Sequence, residues 1–228
     1  MKEQTFKGFT PQTFQFFTDL KANNNKEWFD AHKHVYESEL LNPLKALFQA
    51  LSPVMYSIDA GFEMRPHRAI SRIYRDTRFS HNKEPYKECM WMSFQRPVTR
   101  EEWKNYPCYF LDLRQDGYTL GLGLFQPKKK VMDSFRDAIM YDTEEFEQIT
   151  RQTVIDRGYT VNGDLYKRPI SNELPLYFQQ WIQRKGVWVE KVRPIGEEVF
   201  SNTFADLLIE DFKAMEWLYG FMKEATEE

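Results

Sequence analysis

Between Arg65 and Lys87 the chain carries five arginines and two lysines against two acids, Asp76 and Glu84, a local net charge of +5. The densest stretch is Arg72-Ile-Tyr-Arg-Asp-Thr-Arg-Phe-Ser-His-Asn-Lys-Glu-Pro-Tyr-Lys87. The planar fork of arginine grips phosphate or carboxylate through two parallel hydrogen bonds, and lysine adds a compact point charge. Arg72, Arg75, Arg78, Lys83, Tyr86 and Lys87 are therefore candidate anion-binding residues. Asp76 is the acid set among them. Its candidate roles are to orient an arginine, to hold a metal or to act as a base. Aspartates near arginines stay ionised, which favours orienting or metal-binding roles over that of a general acid. The plain alternative is a solvated loop whose Arg–Asp pairs only fix its own shape.

Spacing decides how these cations are presented. If Ile70–Arg75 is extended, Arg72 and Tyr74 share one face and Ile73 points the other way. Past Asp76, Asp-Thr followed by Ser-His-Asn is loop chemistry, so the chain turns there. Arginines at a strand end and in the following loop can converge on one anion. Pro85 and Tyr86 stiffen the exit of the loop.

The strands that would carry this loop lie just beyond it. Lys87–Gln95, Pro107–Arg114 and Tyr118–Phe125 are apolar runs bounded by turn signals. Asp116-Gly117 is a two-residue hairpin signal. With that turn, Leu113/Leu120, Leu111/Leu122 and Tyr109/Leu124 share a core face. Arg114/Thr119, Asp112/Gly121 and Phe110/Gly123 share the other. Asp112 thereby becomes a second candidate for positioning or acid–base work, and Arg114 a further anion-binding candidate. The bare glycines of that face mark close approach by another backbone or by a ligand.

A second anion candidate is Lys128-Lys129-Lys130, in the first turn of a predicted helix. Cations there oppose the helix dipole, and a bound anion would reverse that sign. The alternative is that the lysines point into water. Other residues are weaker candidates. His32 and His34 are two apart on a helix and make a poor metal pair. His67 and His81 flank the arginine segment, where either could be a catalytic acid or base, but they read first as lone surface histidines. Cys89 and Cys108 lie in predicted strands and read as core, and Trp91, Trp103 and Tyr106 could stack nucleic-acid bases but read first as packing. No metal site is assigned and the cofactor is unknown. The chain has no Walker loop, dinucleotide fingerprint, HExxH or GxSxG.

Helical patterns surround the strands. Thr10 caps a helix with Pro11 in its first turn and Phe9 stapled on Phe14. Asn23-Asn24-Asn25 ends that helix and caps the next, on which Trp28, His32, Tyr36 and Leu40 share a face. A further helix restarts at Asn42-Pro43. Beyond the strands, helices are predicted to about Tyr141 and over Thr143–Asp156. A hairpin over Tyr159–Tyr166 turns at Asn162-Gly163, Val187–Val192 adds a strand, and one last helix runs from about Asn202 through Met222. The expected fold class is α+β, one domain over residues 1–228, with a largely antiparallel or mixed central sheet flanked by N-terminal, middle and C-terminal helices.

The whole-chain figures bound the function. The 228 residues suit one large domain. A formal net charge of −3 argues against a protein that coats nucleic acid generally. No apolar run approaches the roughly 18 residues of a membrane helix, and the N-terminus lacks the apolar centre of a signal peptide. Two cysteines without paired spacing fit a reduced, cytoplasmic setting.

Asn23-Asn-Asn-Lys-Glu-Trp-Phe29 with Tyr36 and Pro43, followed by Arg72-Ile-Tyr-Arg-Asp-Thr-Arg-Phe79 and Lys83-x-Pro-Tyr-Lys87, resembles a family of conserved hypothetical bacterial proteins known as domain of unknown function 2461. The glycine-bearing strand before Pro127 and Leu165-Tyr-Lys-Arg-Pro169 are similar too. Asn24, Trp28, Phe29, Arg72, Arg75, Asp76, Arg78, Phe79, Lys83, Pro85, Tyr86 and Lys87 match the signature. Ile170-Ser171-Asn172 departs from it, where a glycine is expected. The family has no established activity, so the resemblance implies a one-domain protein and no catalytic residue. The residues point to binding of a small phosphorylated or carboxylate ligand at the Arg/Lys-rich loop, with an enzyme on a phosphorylated or nucleotide-like substrate as its extension. A non-catalytic module meeting an acidic protein partner is the alternative, and nucleic-acid binding is the third and least favoured.

Overall fold

The computed structural model describes residues 5–78, 81–99, 102–171 and 173–227. The fold is α+β, as the patterning predicts. Strands β1 (Cys89–Phe94), β2 (Cys108–Arg114), β3 (Gly117–Leu124), β4 (Thr160–Asn162) and β5 (Val187–Pro194) make one antiparallel sheet in the order β1-β2-β3-β5-β4. Helices α1 (Pro11–Ala22), α2 (Lys26–Val35), α3 (Asn42–Ile58) and α4 (Pro66–Ala69) precede it. Helices α5 (Lys129–Tyr141), α6 (Thr143–Thr150), α7 (Leu176–Ile182), α8 (Thr203–Ala214) and α9 (Glu216–Glu227) lie later in the chain. No helix among the described residues is long and apolar enough to cross a membrane. The chain falls into two compact units, one of Met1–Ser93, Leu111–Thr119 and Arg193–Glu210, the other of Phe94–Phe110, Leu120–Val192 and Asp211–Glu228.

In the first unit the helix starts follow their caps. The Thr10 amide donates to the Thr13 hydroxyl at 3.1 Å, and Phe9 meets Phe14 edge to face at 6.2 Å. The Asn25 side chain accepts from the Trp28 amide at 3.0 Å and starts α2. The predicted stripe on α2 is only partly the buried one. Trp28 and His32 are half-buried and stack on each other at 4.2 Å, while Phe29, Tyr36 and Leu40 enter the core. A π-helical turn, Tyr36–Leu41, joins α2 to α3 and shifts the phase of the apolar stripe. The expected leucine face holds: Leu111 and Leu113 are fully buried here. The turn does not. Gly117 has no positive φ and already belongs to β3, where a Cβ would lie 2.4 Å from the Arg193 carbonyl. Close strand approach, rather than turn geometry, demands glycine there.

Glu63 holds the entry to α4. It accepts from Arg65 Nε at 2.7 Å and Nη2 at 2.6 Å, and these bonds hold its carboxyl down at about 2 against an ordinary value of 4.5. This ionised contact stabilises the fold above the unfolded value of the carboxyl, and its contribution is lost as pH falls through the folded one. Glu63→Gln should therefore lose stability at neutral pH and flatten the acid limb of the stability curve below about pH 4.5, as read from urea midpoints across pH.

In the second unit Tyr109, Leu120, Leu122 and Leu124 are fully buried, as the alternation requires. The glycine face of β3 is filled by protein. A Cβ on Gly121 would lie 2.1 Å from the Val189 carbonyl, and one on Gly123 2.2 Å from Trp188 Cβ. Phe125 packs on Phe110 and on Trp188, each at 5.4 Å. Aromatic cover, not a ligand, explains these glycines.

The predicted hairpin over Tyr159–Tyr166 does not form. Thr160–Asn162 pairs with Trp188–Glu190, and Leu165 bridges Arg184. Gly163, at φ +134°, lets the chain pass the Gly186 carbonyl and leave for that distant partner. The single last helix is two. The Met215 amide bonds back to the Phe212 carbonyl at 3.1 Å, three residues away, and tightens the end of α8. Since Met215 is itself buried, the apolar spacing runs through the break unchanged. Arg136, buried on α5, donates to the carbonyls of Ile182 (2.9 Å) and Arg184 (2.7 Å) and ties the end of α7 down. Gly220 lies inside α9 without positive φ, and a Cβ there would meet nothing within 4 Å. Gly220→Ala should raise stability by about 0.5–1 kcal/mol, seen as a higher urea midpoint.

Candidate anion-binding face

The basic run folds as an arm of the first unit. Tyr74 bridges Tyr86, the Arg75 amide donates to the Pro85 carbonyl at 2.8 Å, and the Lys87 amide donates to the Ile73 carbonyl at 2.8 Å. Ile73 is buried, while Arg72 and Tyr74 are exposed, so the predicted alternation holds. Tyr86 anchors the arm. It is 2% exposed and stacks on Phe29 with centroids 4.2 Å apart. Its amide donates to Asn24 Oδ1 at 3.0 Å, and Asn24 Nδ2 donates to its carbonyl at 3.1 Å.

Several predicted anion ligands are engaged within the arm itself. Arg75 Nε and Nη2 donate to the carbonyls of Glu84 and Tyr86 at 3.1 and 3.0 Å. Arg78 forks onto Asp76 at 3.0 and 2.8 Å. Lys83 Nζ donates to the Thr77 carbonyl at 2.8 Å. These contacts fix the shape of the loop. Phe79 lies outside the described residues, as does Asn172 of the departing loop.

The remaining candidates meet along β1 and β2. Lys87, Cys89 and Trp91 alternate outward, while Met90 and Met92 of the same stretch are buried. Asp112 and Arg114 occupy the same relation on β2. The Ser71 amide donates to the Trp91 carbonyl at 2.8 Å, and the Trp91 amide to Ser71 Oγ at 3.1 Å, which brings Arg72 alongside. Lys87 Nζ donates to the Arg72 carbonyl at 2.6 Å and sits 4.0 Å from the centre of the Trp91 ring. Burial lowers the Lys87 pKa, and the charges of Arg72 and Arg75 add to that. Arg114 binds Asp112 Oδ2 through Nε at 2.9 Å and Nη2 at 2.8 Å. The Arg72 guanidinium is exposed and has no hydrogen-bond or ion-pair partner among the described residues.

Two residues depart from expectation. Cys89 is half-buried beside Asp112 rather than core, and Trp91 is 39% exposed rather than packed. The period-two run Lys87-x-Cys89-x-Trp91 was the signal for both. Burial, followed by the Asp112 charge, pushes the Cys89 thiol up to about 11. Asp112 is shifted upward as well, because burial outweighs the pull of Arg114. The Asp112 carboxyl therefore shifts in the direction opposite to the one its arginine neighbour alone would give. Asp112→Asn should lower the Cys89 pKa and speed its alkylation by iodoacetamide at pH 8. Cys108, 5% exposed, supplies the slow background.

The lysine triplet belongs to the second unit. Lys128, Lys129 and Lys130 are exposed, Lys129 pairs with Asp133 at 2.5 Å, and the Lys128 amide donates to Asn105 Oδ1 at 2.9 Å. His34, His67 and His81 are exposed.

The arm and the first two strands lie inside the stretch matched by a family model described as conserved hypothetical protein, DUF2461, which spans residues 12–221. The chain belongs to the DUF2461 family. The match takes in the whole sheet and every candidate residue named above. A comparison with curated proteins gives no significant match. Within this DUF2461 chain, Asn24, Phe29, Arg75 and Tyr86 build the arm, and Arg72 and Lys87 stand at its outer face.

Proposed function

We propose that this protein binds a phosphorylated or carboxylate ligand on the outer face of β1 and β2. Arg72 and Lys87 supply charge, Arg114 stands at the far side, and the Trp91 ring offers a flat wall. The observation that carries the reading is the Arg72 fork, unpartnered among the described residues, beside Lys87, whose charge is already disfavoured by burial and by its cationic neighbours. An anion placed there relieves both costs. Burial and the Asp112 charge disfavour the Cys89 thiolate, so the reading is of binding rather than of covalent catalysis through that thiol.

Isothermal titration with inorganic phosphate, pyrophosphate and adenine nucleotides tests this. Saturable binding is expected, weakened at least about tenfold by Arg72→Ala, in line with 1.5–3 kcal/mol for a hydrogen bond to a charged group. Arg78→Ala, whose fork serves Asp76, should leave affinity nearly unchanged. Absence of saturable binding, or equal affinity of Arg72→Ala and wild type, defeats the reading.

A further inference from the structure

A cleft of about 590 Å³ opens in the second unit where the end of α5 and the start of α6 meet α9. Its floor is aromatic. Trp217 and Phe221 stack at 5.1 Å and 22°, and Phe146 closes on Phe221 at 5.1 Å. Its rim is acidic: Asp137 and Asp142 come from the α5 end, Glu145 from α6 and Glu224 from α9. Among the described residues no lysine, arginine or histidine lines it. Tyr141 stands at the mouth with 93% of its surface exposed, an aromatic ring with nothing to cover it. Gly220 also lines the cleft, and a Cβ there would project into open space.

The charged side chains of the rim all carry one sign. The carbonyl ends of α5 and α9 are partly negative, and neither helix has a basic residue in its last turn. Asp137 and Glu224 sit near these ends and add to that potential. Among the described residues no three carboxylate, thiol or imidazole groups are placed to hold a metal ion together. The acids are spread around the floor instead. Aromatic faces favour an ammonium group and also accept the methylenes that carry it.

We infer that this cleft binds a linear organic polyamine, its aliphatic stem lying on Trp217 and Phe221 and its ammonium groups paired with Asp137, Glu145 and Glu224. The volume is in the range of small-molecule sites. Separated carboxylates around an apolar floor match separated ammonium groups on an apolar stem, which a compact inorganic cation does not.

Titration of the full chain with spermidine, followed by tryptophan fluorescence and calorimetry, tests the inference independently of the anion reading. Saturable one-to-one binding is expected, at least tenfold tighter than that of magnesium ion. Asp137→Asn with Glu224→Gln should weaken it at least tenfold. Gly220→Leu fills the cleft without changing charge, in a position with room for a side chain, and should also weaken binding at least tenfold while circular dichroism stays native. Binding unaffected by Gly220→Leu, a response that magnesium ion reproduces at equal concentration, or no saturation with spermidine would each overturn the inference.

Discussion

Tyr86→Ala is expected to destabilise the protein by about 3–5 kcal/mol, the range for removing a large aromatic side chain from a core. Tyr86 is 2% exposed, and its ring lies on Phe29 at 4.2 Å and 20°. Truncation therefore removes buried area, the aromatic pair and the filling between α2 and the arm. Tyr86→Phe keeps the ring and should cost less than about 1.5 kcal/mol. Asn24→Ala should cost about 1–3 kcal/mol, because it leaves the Tyr86 amide and carbonyl without the side chain that serves both. Urea denaturation reads all three. The effect reaches function too. Arg72 and Lys87 are held by the arm that Tyr86 anchors, so Tyr86→Ala should also weaken anion binding although its side chain is buried away from the ligand. An alanine variant as stable as wild type would show that the stack does not anchor the arm.

Lys191→Met should cost about 3–5 kcal/mol, the cost of breaking a buried pair from one side. Lys191 Nζ lies 3.1 Å from Asp211 Oδ1, and their side chains are 13% and 8% exposed. The lysine also stands 5.0 Å from the centre of the Tyr159 ring. Methionine fills much of the same volume but leaves the Asp211 charge buried and unmatched. Adding Asp211→Leu removes that charge, and the double variant should recover most of the loss. A double-mutant cycle measures the coupling directly. Simple addition of the two single losses would mean that the pair does not interact across its 3.1 Å contact.

The two units differ in how far their features could be read from sequence. The caps at Thr10 and Asn25, the Phe9–Phe14 staple and the buried faces of β2 and β3 follow from spacings of a few residues, and local chemistry sets them. The missing hairpin at Asn162-Gly163 has a different cause. Its short strand pairs with residues nearly thirty positions later, and turn propensity carries no record of that partner. The split between α8 and α9 was hidden because Met215, at the break, is as apolar and as buried as its helical neighbours.

By itself, the sequence determined that cations are concentrated between Arg65 and Lys87, that Arg72 and Ile73 face opposite ways, and that a leucine face underlies the sheet. Composition and period suffice for these, since both are properties of neighbouring residues. Only the tertiary structure decided which charges remain available. Arg75 serves two carbonyls, Arg78 serves Asp76, Arg114 serves Asp112, and Arg72 has no such partner among the described residues. It also decided that Cys89 and Trp91 face outward beside Lys87, and that burial lifts the pKa of Asp112. Pairing and desolvation depend on distance and cover in three dimensions, and residues identical in type then differ in what they can bind.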